Sequence, residues 1–127
     1  MEKFLNLFNI EPTDKTIGTE ATDADQRRTQ ARASGRIDSN TASQLEAVLP
    51  ERVQVNDATV MDLSDVAYVS SAGLRVLLKG AKIAKTTGHK LVLSGLSPSV
   101  QEVFDISGFT SIFAIEPDIS SALVAIS

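Results

Sequence analysis

Ala58-Thr59-Val60-Met61-Asp62-Leu63 is a short, apolar and β-branched run, and after Ser64-Asp65 the apolar character resumes in Val66-Ala67-Tyr68-Val69. The run reads as a buried strand, and Ser70-Ser71-Ala72-Gly73 as the turn that leaves it. Directly beyond the turn, Leu74, Leu77, Leu78, Ala81 and Ala84 recur at the i, i+3, i+4, i+7 spacing of one buried helical face, and Gly88 ends the periodicity. A buried strand turning at once into an amphipathic helix is the unit from which a parallel α/β sheet is assembled.

The unit repeats downstream. Lys90-Leu91-Val92-Leu93 reads as a strand, and Ser97-Pro98 as an N-cap followed by the residue favoured at the first helical position. Val100, Val103 and Phe104 make the next helix amphipathic, and Gly108 closes it. Ser111 to Ile115 reads as another short strand, and Asp118 as the cap of a last helix carrying Ile119, Ala122, Leu123 and Ile126. Upstream, Thr41 followed by Gln44 is a capping-box pair ahead of Leu45, Val48 and Leu49, which predicts a helix from near Thr41 that stops before Pro50.

A strand from about Arg28 to Ile37 precedes it. There Arg27-Arg28-Thr29-Gln30-Ala31-Arg32-Ala33 alternates charged with small residues, as an edge strand would. A first strand near Ile17 to Thr22 and a weakly ordered extension over 1–14 complete the chain. In that extension Phe4, Leu7 and Phe8 are spaced as one helical face, readable as a loose tail or as a docking element. The alternation of helix and strand predicts the α/β class, with right-handed crossovers and a mostly parallel sheet that has the less apolar N-terminal strands at an edge.

At 127 residues there is room for one domain, and a net charge of −4 with five Phe, one Tyr and no Trp argues against a nucleic-acid surface. The absence of cysteine removes disulfides, thiolate zinc sites and cysteine nucleophiles, and a single histidine, His89, all but removes His triads and multi-histidine metal sites. No signal-peptide pattern and no run of 18 apolar residues occur, which points to a cytoplasmic protein without direct membrane insertion. Asp62 and Asp65 read as a strand end and turn and His89 as a surface residue, and no phosphate loop or nucleophile elbow is present. Neither a catalytic residue, nor a metal, nor a cofactor is therefore expected.

What stands out is two hydroxyls, Ser70 and Ser71, at the start of a helix. One suffices as the N-cap; the other is surplus at the positive end of a helix dipole, where phosphorylation would add about −1.5 to −2 charges. The helix behind them carries Arg75, Lys79, Lys82 and Lys85 without an acidic residue between Leu74 and Thr86. Beside that row Gly73, Val76, Gly80 and Ile83 form a second line, expected to be exposed between core and charge and to take a partner.

At these residues the chain resembles the STAS domains, typified by bacterial anti-sigma factor antagonists. The resemblance is carried by Ser34-Gly35-Arg36-Ile37-Asp38, by Val60 to Leu74, and by Gly88-His89-Lys90-Leu91-Val92-Leu93 leading to Leu96-Ser97-Pro98. It implies a layered α/β fold, a four- to five-stranded, mostly parallel sheet mixed at its edge and flanked by about four helices, forming a single STAS domain over 15–127 that binds an anti-sigma factor with a serine kinase fold when unphosphorylated. The kinase would release it by phosphorylating a serine in an Asp-Ser-Ser/Thr-Gly-Leu motif, and a PP2C-type phosphatase would restore it.

Anchored on Gly73-Leu74, the motif places the phosphoacceptor at Ser71. Ser70 stands where the family has Asp and is a rival acceptor, and Ala72 stands where it has the second hydroxyl. The partner-binding residues implied are Gly35, Arg36 and Asp38 ahead of the first helix, and Ser70, Ala72, Gly73, Leu74, Arg75, Val76, Lys79, Gly80 and Ile83 along the second. A weak homodimer is compatible with this reading. The alternative implied by the family is a non-phosphorylated scaffold subunit of a transporter, lipid-transport or stressosome-like assembly.

Overall fold

The computed structural model describes residues 11–13 and 28–126. Its strands are β1 (Glu11–Thr13), β2 (Arg28–Ile37), β3 (Ala58–Val69), β4 (Lys90–Ser94) and β5 (Ala114–Glu116). Its helices are α1 (Ala42–Val55), α2 (Ser71–Thr87), α3 (Pro98–Ser107) and α4 (Ile119–Ala125), with a 3-10 turn over Phe109–Ser111. The sheet runs in the order β1-β2-β3-β4-β5. β1 is antiparallel to β2 and the other pairings are parallel, so the α/β class and the mixed edge are as expected.

Alternation along the strands sorts the core into two faces. Met61, Leu63, Leu91 and Leu93 join a large cluster with Leu45 and Leu49 of α1, Leu74 and Leu77 of α2, and Val100 and Phe104 of α3. Ala58, Val60 and Val92 point the other way, against Ala122 of α4 and Ile126. The alternation that suggested an edge in β2 has a different cause. Thr29, Ala31 and Ala33 are buried inward while Gln30, Arg32 and Ser34 take the opposite face, and the strand lies between β1 and β3. The edge is Glu11–Thr13, which falls within the expected extension; the expected strand over 17–22 and the Phe4-Leu7-Phe8 face lie outside the described residues.

Three further expectations are corrected. α1 does not stop before Pro50 but continues to Val55, giving up one backbone hydrogen bond at the proline. Burial of Val53 and the bond from Arg52 Nη1 to Thr29 Oγ1 (3.1 Å) hold the last turn in place. Thr41 does not cap α1 through its side chain either; its hydroxyl donates to the Arg36 carbonyl (2.7 Å). Asp38 Oδ1 instead accepts from the backbone N–H groups of Asn40 (3.0 Å) and Thr41 (3.2 Å). Finally, the strand expected from Ser111 begins at Ala114. Phe109 and Phe113 pack edge to face at 6.1 Å, and Phe113 meets Phe104 at 5.5 Å, so the chain turns tightly there to bury Phe113.

Candidate functional site

β2 and β3 end side by side, and everything the sequence singled out ahead of α1 meets the start of α2 at that point. Ser70 N–H donates to the Ile37 carbonyl (2.8 Å), which fixes the end of β3 against the end of β2. Gly35 takes φ +95° where the β2–β3 register shifts, a conformation that favours glycine. Arg36 then pairs with Tyr68 across the strands, its guanidinium 4.4 Å from the ring centroid and its Nε 3.8 Å from Asp38 Oδ2. Partial desolvation opposes ionisation of Asp38. The bonds from Asn40 and Thr41 together with the Arg36 charge outweigh it and hold the carboxyl below its ordinary value.

Ser70 is the N-cap of α2: its backbone is extended and its Oγ accepts from Gly73 N–H (3.2 Å). Ser71 is the first helical residue and is exposed. The two hydroxyls thus differ in occupation, one half-buried and bonded to the helix end, the other facing outward at that same end.

The second line expected on α2 is not a surface. Gly73, Val76 and Gly80 are buried together with Leu74, and Ile83 is half-buried. A Cβ on Gly73 would stand 2.6 Å from Ile37 Cγ2 and 3.1 Å from the Ile37 carbonyl oxygen, and one on Gly80 would stand 3.2 Å from Leu49 Cδ2 and from Leu91 Cδ2. These glycines let α2 approach the sheet and α1 closely. The buried face of the helix is accordingly centred on Gly73, Leu77, Gly80 and Ala84, while Leu78 and Ala81, expected inside, are half-buried at its margin.

The basic row does face outward: Arg75, Lys79, Lys82 and Lys85 are all exposed. The first three line an open groove of about 380 Å³ between α1 and α2, with Ala42 and Glu46 on the α1 side and Ala72, Val76 and Leu78 on the α2 side. Lys79 Nζ reaches across it to Glu46 Oε2 at 2.8 Å. Ser71 immediately precedes Ala72 at the N-terminal end of this groove. Glu46 and Tyr68 were not among the residues singled out by sequence, because both act through partners distant in the chain, Lys79 and Arg36.

The remaining candidates are structural. Asp62 and Asp65 both lie within β3, without a turn between them, and both face Arg32, whose Nη2 is hydrogen-bonded to Asp65 Oδ2 and whose Nε lies 4.0 Å from Asp62 Oδ2. His89 ties the end of α2 to α1 through Nδ1 and the Val53 carbonyl (2.8 Å), with Nε2 3.7 Å from Asp57 Oδ1. Among the described residues no group of three His, Asp or Glu side chains could hold a metal ion, and no helix is long and apolar enough to cross a membrane.

The chain is similar to proteins already known. The family model described as "Mlab, STAS domain" matches residues 20–116. The "Putative anti-sigma factor antagonist BtrV" of Bordetella bronchiseptica is 45% identical over 92 residues, covering 72% of this chain and 79% of the relative. The anti-sigma-B factor antagonist of Bacillus subtilis is 36% identical over 87 residues, covering 68% and 79%. Among solved structures, the anti-sigma factor antagonist SpoIIAA of Bacillus superposes in its unphosphorylated form with a TM-score of 0.70 at 16% identity, over 94% of this chain and 95% of that one. Its phosphorylated form gives 0.65 at 16% identity, over 94% and 99%. At that identity the superposition speaks for the fold.

Proposed function

Because the chain belongs to the STAS domain family, we propose that it acts as an anti-sigma factor antagonist, binding an anti-sigma factor and so regulating sigma-factor-dependent transcription. The partner is an anti-sigma factor with a serine kinase fold, bound when Ser71 is unphosphorylated and released when that serine carries a phosphate. A PP2C-type phosphatase reverses the step. The protein works in the cytoplasm, as one STAS domain over 15–127, and by contact rather than catalysis.

The observation that carries this reading is the division of labour between the two serines. Ser70 is committed to Gly73 N–H, which leaves Ser71 as the exposed hydroxyl at a helix N-terminus, where added negative charge is favoured by the dipole. Arg75 and Lys79 are exposed further along the same helix, and Arg36 and Asp38 flank Ile37, whose carbonyl accepts from Ser70 N–H; these are the side chains assigned to a partner that covers Ser71. Of the proposed contact residues, Gly73, Leu74, Val76 and Gly80 contribute by shaping the backbone of α2 rather than by direct exposure.

The test is to mix the protein with the kinase-type anti-sigma factor encoded in the same genome and follow the complex by titration calorimetry. The expected result is a complex that ATP dissolves and the phosphatase restores. Absence of a complex in the unphosphorylated state would refute the reading. Copurification with a membrane ATPase and no phosphoserine in cells would favour the scaffold alternative instead.

A further inference from the structure

The groove between α1 and α2 has walls of opposite character. Its α2 wall presents Arg75, Lys79 and Lys82, and its α1 wall presents one carboxylate, Glu46, already drawn to Lys79 at 2.8 Å. Between them the floor is apolar, with Ala42 and Ala72 leaving room for an inserted side chain. Three exposed cations against one exposed anion form a positive slot in a chain whose net charge is −4.

We propose that this groove takes an acidic amphipathic helical segment of the protein partner, one of whose carboxylates displaces Glu46 from Lys79. Glu46 is the resident placeholder: it neutralises Lys79 while the groove is unfilled and competes with the incoming acid. The proposal rests on the reading of the chain as a partner-binding module and adds the chemistry of what it binds. Charge complementarity supplies the choice of occupant, since a basic or neutral segment would leave Arg75 and Lys82 unmatched beside a covered apolar floor. The apolar floor supplies contact area, and the exposed cations steer the encounter in a salt-dependent way.

A consequence distinguishes this from a generic basic face: removing the competing Glu46 should strengthen binding, whereas Glu51→Gln, at an exposed acid of the same helix outside the groove, should not. The full chain, labelled for NMR, is titrated with two synthetic amphipathic peptides of equal length and identical leucine spacing, one bearing Glu and the other Lys at its polar positions. The Glu peptide should shift Ala42, Ala72, Val76 and Lys79 saturably. Glu46→Gln should tighten its binding about threefold, and Lys79→Glu with Lys82→Glu should weaken it about tenfold, the sizes expected of partly exposed charge pairs. Equal binding of the two peptides, or a Glu46→Gln variant that binds no better, overturns the proposal. A kinase-type partner that ignores the wild-type protein while the Glu peptide fills the groove would refute the functional reading and leave the groove assignment standing.

Discussion

The first turns of α2 and α3 are built alike and open onto different surfaces. Each follows a parallel strand of the sheet and each is capped by a serine, Ser70 accepting from Gly73 N–H at 3.2 Å and Ser97 from Val100 N–H at 3.3 Å. Each cap residue has extended backbone, ψ 175° at Ser70 and 162° at Ser97. The two turns part at the next residue, which is Ser71 in α2 and Pro98 in α3, and again at the donor of the cap bond, glycine in one and buried valine in the other. In α3 the residue after the cap is proline, and the exposed Ser99 beyond it has its hydroxyl 3.5 Å from the Oγ of the cap. In α2 the residue directly after the cap is an exposed serine, and the glycine lets the start of the helix pack closely against Ile37 and Val69. A helix start becomes a candidate switch when its cap is occupied and the next residue still has something to offer.

That contrast can be broken at the glycine. Gly73→Ala should destabilise the protein by about 1–3 kcal/mol, the cost of overpacking, since its Cβ would meet a branched side chain and a backbone oxygen that cannot swing aside. Urea denaturation measures it, and an unchanged midpoint would mean that α2 lifts off the sheet without penalty. The caps come next: Ser70→Ala and Ser97→Ala should each cost about 1 kcal/mol and should do so equally, because their hydrogen bonds are alike. A loss at Ser70 several times that at Ser97 would show that Ser70 does more than cap.

Asp118 offers a charged counterpart. Its carboxylate accepts from Ser121 N–H at 2.8 Å at the start of α4, and that bond holds its pKa below the ordinary 3.8. The stabilisation is complete above 3.8 and is lost as pH falls through the depressed value. α4 should therefore loosen in acid in the wild type, and Asp118→Asn should flatten that dependence, while Ser70→Ala leaves it as it was. Hydrogen exchange of Ala122 against pH reports it. The smallest change expected is from Ser71→Pro, which copies α3 into α2. Proline suits the first helical position, and Ser70 already has the extended backbone a following proline demands, so stability should stay within about 0.5 kcal/mol of wild type. The hydroxyl is gone, and ATP with the cognate kinase should no longer release the partner.

How much of this was legible in the chain follows from the range of the interactions. The boundaries of β3, α2, β4 and α3 are written locally, in Ser70, Ser97-Pro98 and the left-handed glycines Gly88 and Gly108, and they stand where those residues put them. The end of α1 is not local: Pro50 argues for a stop, and burial of Val53 beneath the sheet overrides it. Leucine spacing in α2 gave the right helix but the wrong centre of its buried face. Glycine carries no apolar signal of its own, and only the approach to Ile37, Leu49 and Leu91 shows that Gly73 and Gly80 are the points of closest contact. The groove was half legible. Its cations stand out as a row on one helix, whereas Glu46 lies on another helix, 33 residues away, and is recognisable only once α1 and α2 are side by side.

The central claim is that Ser71, and not its neighbour, is the hydroxyl that takes the phosphate. The direct measurement is incubation of wild type, Ser70→Ala and Ser71→Ala with the cognate kinase and ATP, with the modified residue located by fragmentation mass spectrometry. The account predicts phosphate on Ser71 in the wild type and in Ser70→Ala, and almost none in Ser71→Ala. Undiminished incorporation in Ser71→Ala, with the phosphate on Ser70, would contradict it.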